Sequence, residues 1–171
     1  MKSPIEELIR NTVDEWATPQ SKIYADQIDN VPNVMVFCRS EDNSEDFARS
    51  ADLPNDLNDF WDSFLSADLF IESRYQQGGL KLLSVAESNE ATRDFVQNRS
   101  TDFQQGDRII GAFLGDLDCL IARCDSGSKD FGSVIVAIPD GFRHEWFIVG
   151  DSLTAFLRQF IANDGRKYWE Q

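Results

Sequence analysis

Apolar residues recur at intervals of three and four positions in three parts of the chain, residues 4–16, 54–66 and 152–162. This spacing gathers the apolar side chains on one side of a helix. Ser3 can cap the first of these helices, and Pro4 occupies its first helical position. The pattern therefore predicts amphipathic helices near both ends of the chain and a third before its middle.

A fourth helix is predicted from its first residues. Ser84 and Glu87 have the spacing of a capping box, in which each side chain accepts a hydrogen bond from the other residue's backbone N–H. The helix should run to about Asn98, with Phe95 and Val96 facing inward.

Short apolar runs bounded by turn residues predict strands, because a strand of four to eight residues fills one pass through a core. Gly78 and Gly79 separate two of these runs and indicate a hairpin with a longer loop. After Arg108 the apolar period changes from helix to strand. The predicted strands are 34–38, 69–71, 80–85, 109–114, 119–123, 134–138 and 146–149.

The fold class predicted is α+β, a mostly antiparallel sheet flanked by helices in one domain spanning residues 1–171. At least four strands should come from the part of the sheet that begins at Leu80. Residues 19–33 are expected to be irregular, 39–50 a solvated loop or a short ragged helix, and 166–171 a frayed tail.

The charge balance narrows the classes of partner. Thirty acidic residues against sixteen basic ones give a net charge of −14. Such a field repels nucleic acid and anionic membranes and attracts basic proteins. The acidic start of the chain does not resemble a secretory signal, and no apolar run has the length of a membrane helix. Three cysteines without a disulfide pattern suit a reducing cytosol, so a cytoplasmic location is expected.

Residues that could carry chemistry are few. His144 is the only histidine, and it follows a Pro-Asp-Gly turn, where it should be exposed. Cys119 and Cys124 are five positions apart on a predicted strand, so they should point to opposite faces and share no metal. Asp116 and Asp118 are read as a solvated turn. We therefore predict no catalytic, cofactor or metal site, and hence no enzyme and no cofactor.

Three segments resemble the SUKH superfamily, which includes Syd-like and Knr-like proteins and many bacterial immunity proteins. LPNDLNDFWDSFL, residues 53–65, is similar to the family's leucine-proline opening of an acidic helix. Residues 109–138 are similar to its strand, glycine-aspartate turn and strand, and VGDSLTAFLRQFI, residues 149–161, to its closing helix. The family's glycine pair after the first of these helices is absent, since Ala67 and Asp68 stand there. Residues 35–50 have no clear counterpart.

The resemblance implies a SUKH-like α+β domain without catalytic residues. Bacterial members typically protect a cell by binding a polymorphic or contact-dependent toxin domain, often a nuclease. A second reading, from other relatives, is a regulatory scaffold or adaptor that binds a housekeeping protein. A third is an enzyme of unrecognised type, for which the sequence offers no site.

Half of the net charge falls within 22 residues. Residues 41–62 carry eight acidic side chains and one basic one, Arg49, for a net charge of −7. An acidic ridge can occupy the basic cleft of a toxin that cleaves nucleic acid. The alternative is that loops and helix N-termini simply favour such residues. The residues predicted to bind a basic partner are Glu41, Asp42, Glu45, Asp46, Asp56, Asp59 and Asp62.

Overall fold

The computed structural model describes residues 1–22 and 34–171, which form an α+β domain with four helices and one eight-stranded sheet. The helices are α1 (Pro4–Trp16), α2 (Asn55–Ser63), α3 (Val85–Asn98) and α4 (Leu153–Ala162). The strands are β1 (Gln20–Lys22), β2 (Val34–Asp42), β3 (Phe64–Glu72), β4 (Leu80–Leu82), β5 (Asp107–Phe113), β6 (Cys119–Arg123), β7 (Val134–Ala137) and β8 (Phe147–Gly150).

Each strand of the sheet pairs with its neighbours in the sequence. The spatial order is β1 to β8, and every pairing is antiparallel. Sequential antiparallel strands need only short connections or a single helix between them. The predicted α+β class with a mostly antiparallel sheet is confirmed, and five of the strands come from the part that begins at Leu80. None of the helices in the described part is long and apolar enough to cross a membrane.

The main core lies on one face of the sheet, beneath three helices. α1, α2 and α4 contact one another and direct their apolar side chains into this face. Burial of large side chains supplies most of the stabilisation, at about 1.5–3 kcal/mol each. The largest side chains that are fully buried there include Trp61, Phe60, Phe64, Phe156 and Phe160.

The opposite face of the sheet carries a smaller core under α3. Phe95 packs edge to face with Trp146, with ring centroids 5.8 Å apart. Ser88 donates a hydrogen bond to the Ile109 carbonyl, which anchors α3 on β5. The capping box of Ser84 and Glu87 is present as predicted. Val96 was expected to face inward but is exposed, because this helix buries only a narrow strip of its surface.

Several element boundaries differ from the sequence prediction. α2 ends at Ser63 instead of residue 66, because Phe64 adopts an extended conformation and begins β3. β2 continues through Arg39 to Asp42, where a loop or ragged helix was expected. Gln20–Lys22 forms a strand, and the rest of the segment expected to be irregular, 23–33, lies outside the described residues.

The C-terminal residues pack on the domain, so the prediction of a frayed tail is wrong. Trp169 contacts Phe113 at a centroid distance of 5.5 Å and Phe156 at 5.9 Å. The Lys167 ammonium pairs with Asp116 and Asp118. Asp118 is buried, so the reading of this pair as a solvated turn is also wrong. Burial alone would lower the pKa of Lys167, but the two carboxylates outweigh it and raise that pKa.

Replacing Trp169 by alanine is expected to lower the free energy of unfolding by about 2–3 kcal/mol, because the side chain is half-buried. The indole ring closes one end of the main core, and its loss leaves a gap beside Phe113 and Phe156. Urea denaturation measures the change. Gln171→Ala is the matched control at an exposed position two residues away. A loss of free energy of unfolding below about 0.5 kcal/mol in Trp169→Ala would show that residues 166–171 are loosely attached to the domain.

A buried ion cluster joins the second half of the sheet to its loops. The Asp107 carboxylate accepts a hydrogen bond of 2.6 Å from Arg123, and Arg143 approaches it through two nitrogen atoms. Arg123 also pairs with Asp130 at 2.9 Å. Burial alone would lower the pKa of Arg123, but Asp130 and Asp107 raise it. The cluster holds β5 and β6 together with the turn that precedes β8.

Candidate partner-binding site

The predicted partner-binding residues lie on three consecutive pieces of structure. Glu41 and Asp42 end β2, Glu45 and Asp46 lie in the connection that follows, and the remaining three are on α2. We refer to residues 41–62 as the acidic segment. Its side chains fall into three groups, according to whether they pair with arginine, cap another helix or remain without a partner.

Three of the carboxylates pair with arginine. Arg10 of α1 contacts Asp42 at 3.0 Å. Arg49 contacts Asp59 at 2.8 Å and Asp62 at 3.7 Å. These pairs are partly exposed and contribute little to stability, typically below about 1 kcal/mol. A hydrogen bond to Glu6 and the pairing with Asp42 raise the pKa of Arg10.

Asp56 has a structural role that the sequence did not indicate. Its carboxylate accepts hydrogen bonds from the backbone N–H of Thr154, at 2.8 Å, and from the Thr154 hydroxyl, at 3.1 Å. These groups lie at the N-terminus of α4, where a negative charge is favourable. Asp56 was predicted to bind a basic partner together with Asp59 and Asp62, but its carboxylate is engaged at α4, so we do not assign it to the binding surface.

The remaining four carboxylates are exposed and form no ion pair within residues 1–22 and 34–171. They belong to Glu41, Glu45, Asp46 and Asp52. Asp52 was part of the charge count but not of the predicted site. Because these groups form no ion pair within the described structure, their field extends into solvent, where it can attract a basic partner.

The connection that carries Glu45 and Asp46 is held against α2. The Asn43 side chain donates a hydrogen bond of 2.7 Å to the Trp61 carbonyl. The Asn58 side-chain oxygen accepts a hydrogen bond of 3.0 Å from the Ser50 backbone N–H. Its NH₂ group donates to the Ser50 carbonyl, at 2.8 Å, and to the Leu53 carbonyl. Asn58 is buried, and its polar groups are satisfied by these contacts. The acidic residues therefore project from a fixed backbone.

An apolar groove of about 460 Å³ lies beside this connection. Phe47 and Ala48 form one wall, and Val85 and Ala86, at the start of α3, form the other. Trp61, Phe64 and Leu65 are among the residues at its floor. Glu45 and Asp46 line its rim, so two of the unpaired carboxylates adjoin an apolar surface.

The groove was not predicted from the sequence, although two signals pointed to it. Phe47 is an isolated aromatic residue within a polar run, and it lies 6.0 Å from Trp61 between ring centroids. Leu65 follows the helical pattern of α2 but is 39% exposed. The register between β2 and β3 shifts at this residue, and such a bulge turns a side chain out of the regular alternation.

The remaining candidate chemical groups are dispersed. His144 is exposed, as predicted, and stacks on Phe142 with ring centroids 5.9 Å apart. Cys119 packs on the smaller core and Cys124 on the main core, which confirms that they face opposite sides of the sheet. Within the described ranges, no cluster of three or more histidine, cysteine or acidic residues could hold a metal ion.

The thiols are expected to react slowly with a disulfide reagent at neutral pH. Burial raises the pKa of Cys119 to about 12 and that of Cys124 to about 11, and Cys38 is fully enclosed. At neutral pH these raised pKa values leave little thiolate. The thiolate is the form that reacts, so the reaction is slow. Ellman's reagent should release less than one equivalent rapidly from the native protein and three in urea. Rapid release of two or more from the native protein would contradict the burial.

Comparisons with known proteins gave no match. No protein-family model matches the chain, and neither a search of curated proteins nor one of solved structures found a similar protein. The resemblance to SUKH proteins therefore stays a prediction that rests on the three segments quoted above.

Proposed function

We propose that this chain is a non-enzymatic bacterial immunity protein. It acts in the cytoplasm, where it binds and neutralises a cognate toxin domain, of the polymorphic or contact-dependent kind, through the acidic segment. The observation that carries the proposal is the set of four exposed carboxylates without a partner in the described structure, on a backbone held by Asn43 and Asn58.

The physical reason lies in the substrate of nuclease toxins. An enzyme that cleaves nucleic acid needs a basic cleft to bind phosphates, and a fixed array of carboxylates can occupy that cleft. The net charge of −14 adds long-range attraction and accelerates the encounter. The resemblance of three segments to immunity proteins supports the same reading.

The second candidate is a regulatory scaffold that binds a housekeeping protein. The same acidic surface would serve it, provided that the partner is basic. What distinguishes the two is the consequence of binding, because an immunity protein abolishes a toxic activity and a scaffold does not. An enzymatic function would need reacting groups brought together, and His144 stacks on Phe142 at an exposed turn.

Co-expression tests the proposal. The chain should restore growth to bacteria that produce the basic C-terminal domain of a secreted toxin encoded by the gene immediately upstream. The purified chain should form a complex with that domain and block its activity. Growth arrest that persists despite soluble expression of the chain would contradict the proposal.

Replacing His144 by alanine is expected to leave this protection unchanged. The residue is exposed and distant in sequence from the acidic segment. Replacing Cys38, Cys119 or Cys124 by serine should also leave protection unchanged, provided that circular dichroism shows each variant to be folded. Loss of protection in a folded His144→Ala protein would instead favour an enzymatic reading or place this residue in the interface.

A further inference from the structure

We infer that the groove beside the acidic segment is the anchor pocket for one large apolar side chain of the partner, flanked by lysine or arginine. This inference rests on the proposed function and specifies the chemistry of the partner at that site. It combines two observations, an apolar groove that solvent reaches at Leu65 and along its walls, and unpaired carboxylates on the rim of the same groove.

The floor of the groove can stabilise an apolar side chain. Trp61 and Phe64 are fixed by the core, and Leu65 is the part that solvent reaches. The Trp61 Nε1–H donates a hydrogen bond of 2.9 Å to the Leu83 carbonyl, so the indole is held in one orientation. A rigid apolar floor is the arrangement in which an inserted side chain gains most, because little ordering is required when it binds.

The size of the groove favours a single anchor. A cavity of about 150 Å³ is enough to hold benzene. The volume of about 460 Å³ therefore admits a bicyclic side chain such as that of tryptophan. It is bounded by residues 46–48 and by the first turn of α3. Anchor side chains of this kind, tryptophan above all, commonly dominate protein interfaces.

The charges on the rim select the residues next to the anchor. Glu45 and Asp46 are exposed on this rim and form no ion pair within the described ranges. The first turn of α3 adds no cation to the rim, since the groove is lined there by Ser84, Val85 and Ala86. Lysine or arginine beside the anchor would meet these carboxylates, whereas acidic residues would be repelled.

Three capped tripeptides test the inference with a defined probe. Lys-Trp-Lys, Lys-Ala-Lys and Glu-Trp-Glu are titrated into the full chain at low salt and followed by ¹H–¹⁵N NMR. Lys-Trp-Lys is expected to shift the backbone signals of residues 45–48 and 84–89 and to bind at least about tenfold more tightly than either other peptide. Equal binding of Lys-Ala-Lys would overturn the inference, because charge alone would then explain it.

Two wall substitutions locate the binding. Ala48→Trp and Ala86→Trp place a large ring at the mouth from opposite sides, at exposed positions where folding should be unaffected. Each should weaken Lys-Trp-Lys at least about tenfold. Ala162→Trp, at an exposed position near the end of α4, is the matched control and should bind as the unmodified chain does. Unchanged binding by both wall variants would overturn the inference.

The peptide experiment uses no toxin, so its outcome is separate from that of co-expression. Peptide binding without protection would leave the groove as an anchor site and reject the immunity function. Protection without selective peptide binding would retain the function and reject the anchor. Concentration-dependent dimerisation of the chain that is lost in both wall variants would also overturn the inference, because a second copy would then occupy the groove.

Discussion

Replacing Asp107 by alanine is expected to lower the free energy of unfolding by about 3–5 kcal/mol. Only 1% of its side chain is exposed, and 4% of that of Arg123, its partner at 2.6 Å. Removal of the carboxylate leaves the buried Arg123 guanidinium with Asp130 as its one remaining carboxylate partner in the described structure, and Arg143 with only a hydrogen bond to the Asp102 carbonyl from its side chain. The large effect comes from this uncompensated positive charge, more than from the loss of the bond itself.

Chemical denaturation of three proteins measures this effect. Asp107→Asn keeps the size of the side chain and one acceptor oxygen. Its free energy of unfolding should therefore lie between those of the wild type and Asp107→Ala. Asp140→Asn removes an exposed carboxylate in the turn that precedes Arg143 and should change stability by less than about 0.5 kcal/mol. If Asp107→Ala lowers the free energy of unfolding by about as little as Asp140→Asn does, the cluster contributes little to stability.

Features of the fold that depend on neighbouring residues could be predicted from the sequence. The capping box of Ser84 and Glu87 joins residues three positions apart and correctly placed the start of α3. The strand at Cys119–Arg123 was bounded correctly by turns on both sides. The end of α2 was missed, because Phe64 and Leu65 continue the helical pattern, whereas Phe64 pairs with Asp42 of β2 and Leu65 lies at the shift in register that follows.

The site could be predicted in composition but not in geometry. The density of acidic residues is visible in the sequence, whereas their partners are remote. Arg10 reaches Asp42 across 32 positions, and Thr154 reaches Asp56 across 98. The Asp107 cluster is hidden for the same reason, since its two arginines come from a later strand and a later turn. The groove arises from packing between α3 and residues 46–48, which no local pattern records.

Neutralising the four unpaired carboxylates is expected to slow association with the toxin domain about 10- to 1,000-fold at low salt. The variant carries Glu41→Gln, Glu45→Gln, Asp46→Asn and Asp52→Asn. None of these side chains is buried or paired within the described structure, so the fold should be retained. Exposed charges act mainly on the encounter, and the dissociation rate should change much less.

A matched control removes the same charge elsewhere. Glu7→Gln, Asp94→Asn, Asp140→Asn and Asp151→Asn also neutralise four exposed carboxylates without an ion pair in the described ranges. Both variants have a net charge of −10 instead of −14, since each loses four of the thirty acidic charges. A difference between them reports where the charge lies, because the total is equal.

The most direct measurement is the rate at which the toxin domain associates with the wild type, the acidic-segment variant and the control. Stopped flow measures this rate across a series of salt concentrations. The association rate is expected to fall steeply with salt for the wild type and nearly as steeply for the control. The acidic-segment variant should start far lower and depend only weakly on salt. If instead the acidic-segment variant and the control associate at the same rate at every salt concentration, the acidic segment is not the binding surface.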